Sequence, residues 1–143
     1  MFLKILKKLI MKINQFEVWI ADLNPRIGTE TGKKRPVIIV QTNLLNSVNH
    51  PSTLICPLTT NVHRNAQILR IHLPKGIANL SKDCDIMVDQ LRAIDNKRLV
   101  KKIGKISNTA SEKLKENLQL KNLNLIIIEK NHVHQHKKEL LEN

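Results

Sequence analysis

Aromatic side chains are nearly missing from this chain: Phe2, Phe16 and Trp19 are all it has, and tyrosine is absent. Proteins that hold single-stranded nucleic acid by stacking bases on rings need more of them. A stacking platform is therefore excluded, and contact with nucleic acid must rest on charge and hydrogen bonds. Cysteine is scarce too. Cys56 and Cys84 stand among apolar neighbours, which reads as two reduced core thiols of a cytoplasmic protein rather than a disulfide framework. No apolar run is long enough to span a bilayer. In the N-terminal MFLKILKKLIMKI, lysines interrupt the apolar residues throughout, so this is neither a signal peptide nor a membrane span. Acidic residues are few as well: 12 stand against 24 Lys and Arg, for a formal net charge of +12. That excess points to a polyanionic partner, nucleic acid ahead of a merely solubilising surface.

What remains suits one domain with a modest core. Residues 1–13 read as an N-terminal extension, with translation naturally starting at Met11. A short basic amphipathic helix is the second reading, since Phe2, Ile5, Leu6, Leu9, Ile10 and Ile13 fall near helical spacing. Residues 14–128 read as the folded domain and 129–143 as a charged tail. Within the domain, Phe16–Leu23 is a predicted strand, closed by Asn24-Pro25 and a glycine-bearing loop. Val37–Val40 is a β-branched run that fits a strand buried on both faces. Asn43–Ser52 reads as loop, and Thr53–Leu58 as a strand whose Pro57 implies an edge or a bulge. Gln67–Leu73 alternates like a half-buried strand. Asp85–Val88 begins another, continued through Gln90 to Ile94, before a polar turn at Asp95–Arg98. Val100–Ile106 is a strand with Gly104 at a bulge. Thr109 and Glu112 have capping-box spacing for a helix running to about Leu120, and Leu123–Ile128 is a terminal apolar run. Short strands followed by one late helix make a small, mostly antiparallel α+β barrel.

No phosphate-binding glycine loop, dinucleotide fingerprint, zinc-protease helix or serine elbow is present. His132, His134 and His136 have the spacing to hold a metal on an extended strand, but their lysine-rich tail makes the grouping incidental. His50 and His63 lie in loops, where either can serve as an acid or base. Polar groups at strand ends are the better signal. Arg35 stands ahead of Pro36, Thr59 and Thr60 end the TLICPL strand, and Asp89, Gln90 and Arg92 interrupt an apolar stretch. Each has a plain structural explanation: Arg35 snorkels, the threonines make a turn, and Asp89 pairs with Arg92. Together the residues support a basic barrel that binds phosphates.

The blocks EVWIADLNPRIGTETGKKRPVIIV, ICPLTTN and VDQLRAIDNKRL add a resemblance. From about Gln15 to Ile128 the chain is similar to the MazF/PemK-type toxin endoribonuclease family. The spacing of Pro25, Gly28, Glu30, Arg35 and Pro36 carries the likeness. It implies a small SH3-like antiparallel β-barrel with a C-terminal helix, acting as a homodimer and needing no metal or other cofactor. It also implies cleavage of single-stranded RNA by its own 2′-hydroxyl, and a cognate antitoxin whose acidic, extended tail fills the RNA groove. Arg35 then matches the catalytic arginine, Thr59 the catalytic threonine and Glu30 a loop carboxylate. Asp89 and Gln90 match an acidic-Gln pair near RNA. Lys33, Lys34, Arg64 and Arg92 would attract the phosphates, and Asn24, Thr60, Asn61 and Gln90 would read base edges. The base that takes the 2′-hydroxyl proton is Glu30, Asp89 or His63, in that order. Two positions depart from the family pattern: Phe16 stands where a glycine usually opens the first strand, and Met87 where one branch has a second arginine. The competing readings are a noncatalytic nucleic-acid-binding barrel and a protein held on a membrane surface by residues 1–13.

Overall fold

The structure, a computed structural model, describes residues 2–3, 11–63, 65 and 69–119. Seven strands follow one another: β1 (Glu17–Asp22), β2 (Lys34–Ile39), β3 (Ser52–Thr59), β4 (Arg70–Leu73), β5 (Cys84–Met87), β6 (Arg92–Asp95) and β7 (Leu99–Lys105). A short helix α1 (Asn43–Asn46) precedes β3, and a longer helix α2, described over 108–119, follows β7. All pairings are antiparallel, in the order β4-β5-β3-β2-β1-β7, with β6 also on β3. This is the expected α+β plan. No described helix is long and apolar enough to cross a membrane.

Alternation explains why β2 is apolar at every position from Val37 to Ile39. Ile38 joins Val18, Cys56, Leu58, Ile86 and Leu114 in one buried cluster. Val37 and Ile39 face the other way, into a second cluster with Trp19, Leu23, Ile55 and Ile94. The sheet thus has core on both faces, as its unbroken β-branched run requires. Met11 and Ile13 pack against the second cluster, so the chain contributes to the core before the first strand begins. Cys56 and Cys84 are buried thiols that take part in no disulfide. Burial, with Asp83 and Asp85 close by, pushes the Cys84 thiol up, so it stays protonated.

The ladder does not close, since β4 and β7 are its two ends. A tight turn joins them instead. Residues Ile77–Asn79, just after β4, lie on β7, where Asn79 Nδ2 donates to the Ile103 carbonyl at 2.8 Å. A Cβ at Gly104 would sit 2.5 Å from the Ala78 carbonyl carbon. Only a residue without a side chain fits this seam. Register shifts along the β1–β7 pairing skip Ile103 and Val100, so the expected bulge lies beside Gly104. Gly104→Ala should lower stability by about 1–3 kcal/mol, because backbone rather than a flexible side chain must yield. A urea melt of the variant checks this.

Phe16, the departure from glycine, has φ of 68°. That left-handed backbone costs a non-glycine residue roughly 1–2 kcal/mol. Burial of the ring, about 1.5–3 kcal/mol for a large apolar side chain, offsets it.

Five local expectations are corrected. Asn43–Ser52 is not all loop: Thr42 Oγ1 caps α1 by accepting from Leu44 N at 3.3 Å, and β3 begins at Ser52. Pro57 is neither at an edge nor in a bulge. It pairs with Val37 on one side, and on the other it lies where β3 passes from β6 to β5, so no ladder bond is lost there. The stretch from Asp85 to Ile94 is two strands, broken by a turn at Val88–Gln90 whose Leu91 N–H bonds the Val88 carbonyl at 3.3 Å. Asp89 and Gln90 belong to that turn, not to a strand. The cap of α2 is Ser107, whose Oγ accepts from Ala110 N at 3.2 Å, rather than Thr109. Glu112 instead pairs with Lys115 at 3.2 Å. Of the strand expected at 67–73, Leu69 is exposed and the described strand is Arg70–Leu73, residues 67 and 68 lying outside the described residues. Residues 123–128 and the tail histidines lie outside the described residues.

Candidate active site at the mouth of β2

Arg35 is the second residue of β2, and it is half-buried. Its neighbour Pro36 pairs with Ile20 on β1 and keeps the backbone extended. The guanidinium spans two elements. Nε donates to the Gly32 carbonyl at 2.8 Å, and Nη1 to the Leu58 carbonyl at 3.4 Å. One contact ties the β1–β2 loop and the other ties the end of β3. Among the described residues no other acceptor meets the rest of the donor fork, which suits an anion. Burial, then the charge of Arg26, lowers the Arg35 guanidinium below the ordinary arginine value. Both effects raise the worth of an incoming negative charge.

Thr59 follows Leu58. The β2–β3 ladder ends with Val37 opposite Pro57, and beyond it the Arg35 guanidinium reaches the carbonyl of Leu58, the residue before Thr59. Thr59 Oγ1 accepts from Asn61 N at 3.1 Å. One lone pair is thereby occupied, and the hydroxyl proton remains to be donated. Thr60, Asn61 and His63 are exposed along the loop that follows. Arg64 lies outside the described residues.

The β1–β2 loop is braced at its base. Asn24 Oδ1 accepts from Lys33 N at 3.0 Å, and the Asn24 carbonyl accepts from Arg98 Nη1 at 2.9 Å. Asn24 thus has a structural duty beside any contact with bases. Gly32 is buried, and a Cβ on it would lie 2.7 Å from Arg26 Cβ, so a glycine is what lets its carbonyl reach Arg35. Lys33 and Lys34 are exposed on the loop's way into β2. Glu30 is held across the fold by Arg92 Nη1, 3.1 Å from Oε2. The pairing of Asp89 with Arg92 expected above is replaced by this one. Arg92 opens β6 opposite Ile55, while Asp89 is exposed and Gln90 half-buried in the adjoining turn. His50 is structural: its Nδ1 lies 2.8 Å from the Ser52 carbonyl, and its own carbonyl accepts from Asn96. Met87 is buried at the end of β5.

Arg35 therefore reaches the end of β3 one residue before Thr59, with Glu30 two residues from the Gly32 carbonyl that Arg35 grips. One group was missed in the sequence. Asp85 is buried opposite Thr59 on β5. An acidic residue inside a predicted strand was its only signal.

Comparison with known proteins speaks to the family and the fold. Residues 14–121 match the profile of the PemK-like, MazF-like toxin of type II toxin–antitoxin systems. Endoribonuclease EndoA of Bacillus subtilis is 27% identical over 110 residues, covering 77% of this chain and 94% of that one. MazF from Deinococcus radiodurans superposes with a TM-score of 0.64 at 16% identity, covering 76% of this chain and 94% of its own. A mycobacterial endoribonuclease solved in complex with its cognate antitoxin gives 0.58 at 16% identity, covering 76% and 91%. At such identities the two structures speak for the fold alone.

Proposed function

Since this chain belongs to the PemK-like, MazF-like toxin family of type II toxin–antitoxin systems, we propose that it is an endoribonuclease that cuts single-stranded RNA at specific sequences without a metal ion. The observation that carries the reading is the seat of Arg35, whose fork is anchored on the Gly32 and Leu58 carbonyls beside Thr59. In the proposed step the 2′-hydroxyl attacks the adjacent phosphorus and the bond to the 5′-oxygen breaks. The products are a 2′,3′-cyclic phosphate and a 5′-hydroxyl. Negative charge grows on the nonbridging oxygens, and the free donors of Arg35 meet it in a setting already arranged to receive it. Thr59 donates to one of these oxygens and fixes the phosphate's orientation. A permanently protonated guanidinium is a poor base. Glu30, held in place by Arg92, takes the 2′-hydroxyl proton in this scheme, and water supplies one to the departing 5′-oxygen. Asp89 and His63 are the next candidates.

Lys33, Lys34, Arg64 and Arg92 draw in the phosphates, whereas Asn24, Thr60, Asn61, Asp89 and Gln90 line the path of the bases. Base recognition by hydrogen bonds suits a protein whose Phe16 and Trp19 are both in the core. The natural inhibitor of such a basic groove is an antitoxin with an acidic extended segment, and a homodimer is the proposed working form. The decisive experiment incubates the protein with single-stranded RNA in EDTA and maps the ends. Cyclic-phosphate and 5′-hydroxyl ends at defined sequences are expected. Tight binding with intact RNA would instead identify a noncatalytic binding barrel.

A further inference from the structure

We infer that Asp85 is a positioning residue for the Thr59 hydroxyl, an inference that rests on the endoribonuclease reading above. Asp85 is 1% exposed, so its charge must be answered within the fold and RNA cannot reach it. Thr59 and His72 flank it directly, on β3 and β4 respectively. Directly opposed residues share a face of the sheet, so the three side chains form one row.

Both carboxylate oxygens are engaged. Oδ1 lies 3.2 Å from His72 Nδ1. Oδ2 accepts from His63 N at 2.8 Å and lies 3.7 Å from Arg70 Nη1. The same Arg70 nitrogen donates to the Asn61 carbonyl at 3.3 Å. One buried carboxylate therefore holds the stretch after β3 at both ends, His63 directly and Asn61 through Arg70. Asn61 is also the residue whose N–H bonds Thr59 Oγ1. That bond selects the threonine rotamer and directs its proton outward. If Asp85 is neutralised, Asn61 loses its anchor and the hydroxyl its fixed direction. A small misplacement of a group that acts on the reacting phosphate can cost about 10²-fold in rate.

The test measures kcat and KM for cleavage of a single-stranded RNA oligonucleotide in EDTA, with thermal midpoints, for Asp85→Asn in wild-type and Thr59→Ala backgrounds. Slow variants are followed in single turnover with enzyme in excess. Asp85→Asn should lower kcat by about 10²-fold with KM unchanged. In the Thr59→Ala background the same change should have little further effect, because the group it positions is gone. An equal loss in both backgrounds, or undiminished kcat in a folded Asp85→Asn protein, overturns the proposal. Should Asp85→Asn fail to fold, Arg70→Gln cuts the link to Asn61 from the half-buried side of the network. It should also lower kcat at constant KM and couple to Thr59. A raised KM with unchanged kcat would make Arg70 a substrate contact and overturn the proposal. The two readings separate cleanly. A wild-type protein that leaves RNA intact refutes the endoribonuclease assignment and this inference with it, whereas cleavage indifferent to Asp85 and Arg70 refutes the positioning role alone.

Discussion

Arg35→Ala should slow RNA cleavage by about 10²–10³-fold, the usual cost of removing one preorganised donor from a site where negative charge develops. Affinity for RNA should fall much less, since Lys33, Lys34 and Arg92 still supply charge. Lysine should not rescue the rate. Its ammonium is a point charge, whereas Arg35 uses Nε and Nη1 on two separate carbonyls while leaving other donors for the phosphate. Cleavage under single-turnover conditions, with a binding isotherm for each variant, checks both statements. Equal losses in affinity and rate would reduce Arg35 to a phosphate-binding cation.

The largest effect on stability should come from Glu17→Ala. Glu17 is 2% exposed and accepts from Asn14 N at 2.7 Å and Trp19 Nε1 at 3.3 Å, with Lys102 Nζ at 2.5 Å. Truncation leaves those donors without an acceptor. Each buried orphan costs about 1–3 kcal/mol, while half-exposed Lys102 turns to water and loses little. A loss of about 2–4 kcal/mol follows, which for a domain of this size lowers the thermal midpoint by roughly 10 °C or more. The same group makes stability depend on acid. Burial pushes the Glu17 carboxyl up, but Lys102, the Asn14 N–H and the Trp19 N–H outweigh it and hold it below the ordinary value. A depressed carboxyl stabilises the fold above its unfolded-state value and ceases to do so as pH falls through its folded value. Denaturant melts should therefore weaken as pH drops below the ordinary glutamate range. Glu17→Gln should flatten that part of the curve.

The strands with clean patterns were legible. Phe16–Leu23 and Val37–Val40 carry the β-branched and aromatic residues that a two-sided core demands. The first became a strand within a residue at each end, and the second ends within a residue but starts three residues earlier, at Lys34. Arg35 stood out because a fixed charge beside Pro36 has no reason in the apolar pattern. What misled was local composition whose meaning depends on distant partners. Val88–Gln90 has nothing that marks a turn, and it bends because β5 and β6 must both reach β3 at different heights. Pro57 suggests an edge unless one knows that β3 changes partner there. Thr109 and Glu112 imitate a capping box, but Ser107 reaches the first free amides earlier. The ion pairs were least legible of all. Glu30 with Arg92 is separated by 62 positions, and no spacing rule connects them. Asp85 carried no motif, so only the ladder that sets it opposite Thr59 discloses its place.

Trp19 is the only tryptophan, 5% exposed, with its indole nitrogen on the Glu17 carboxylate. Its emission is therefore a one-colour optical gauge of the fold. Excitation of that single ring should register unfolding and protonation of its neighbour, yet stay dark to RNA entering a groove it does not line. Folding can thus be followed by this ring, and binding by a label on the RNA, in the same cuvette.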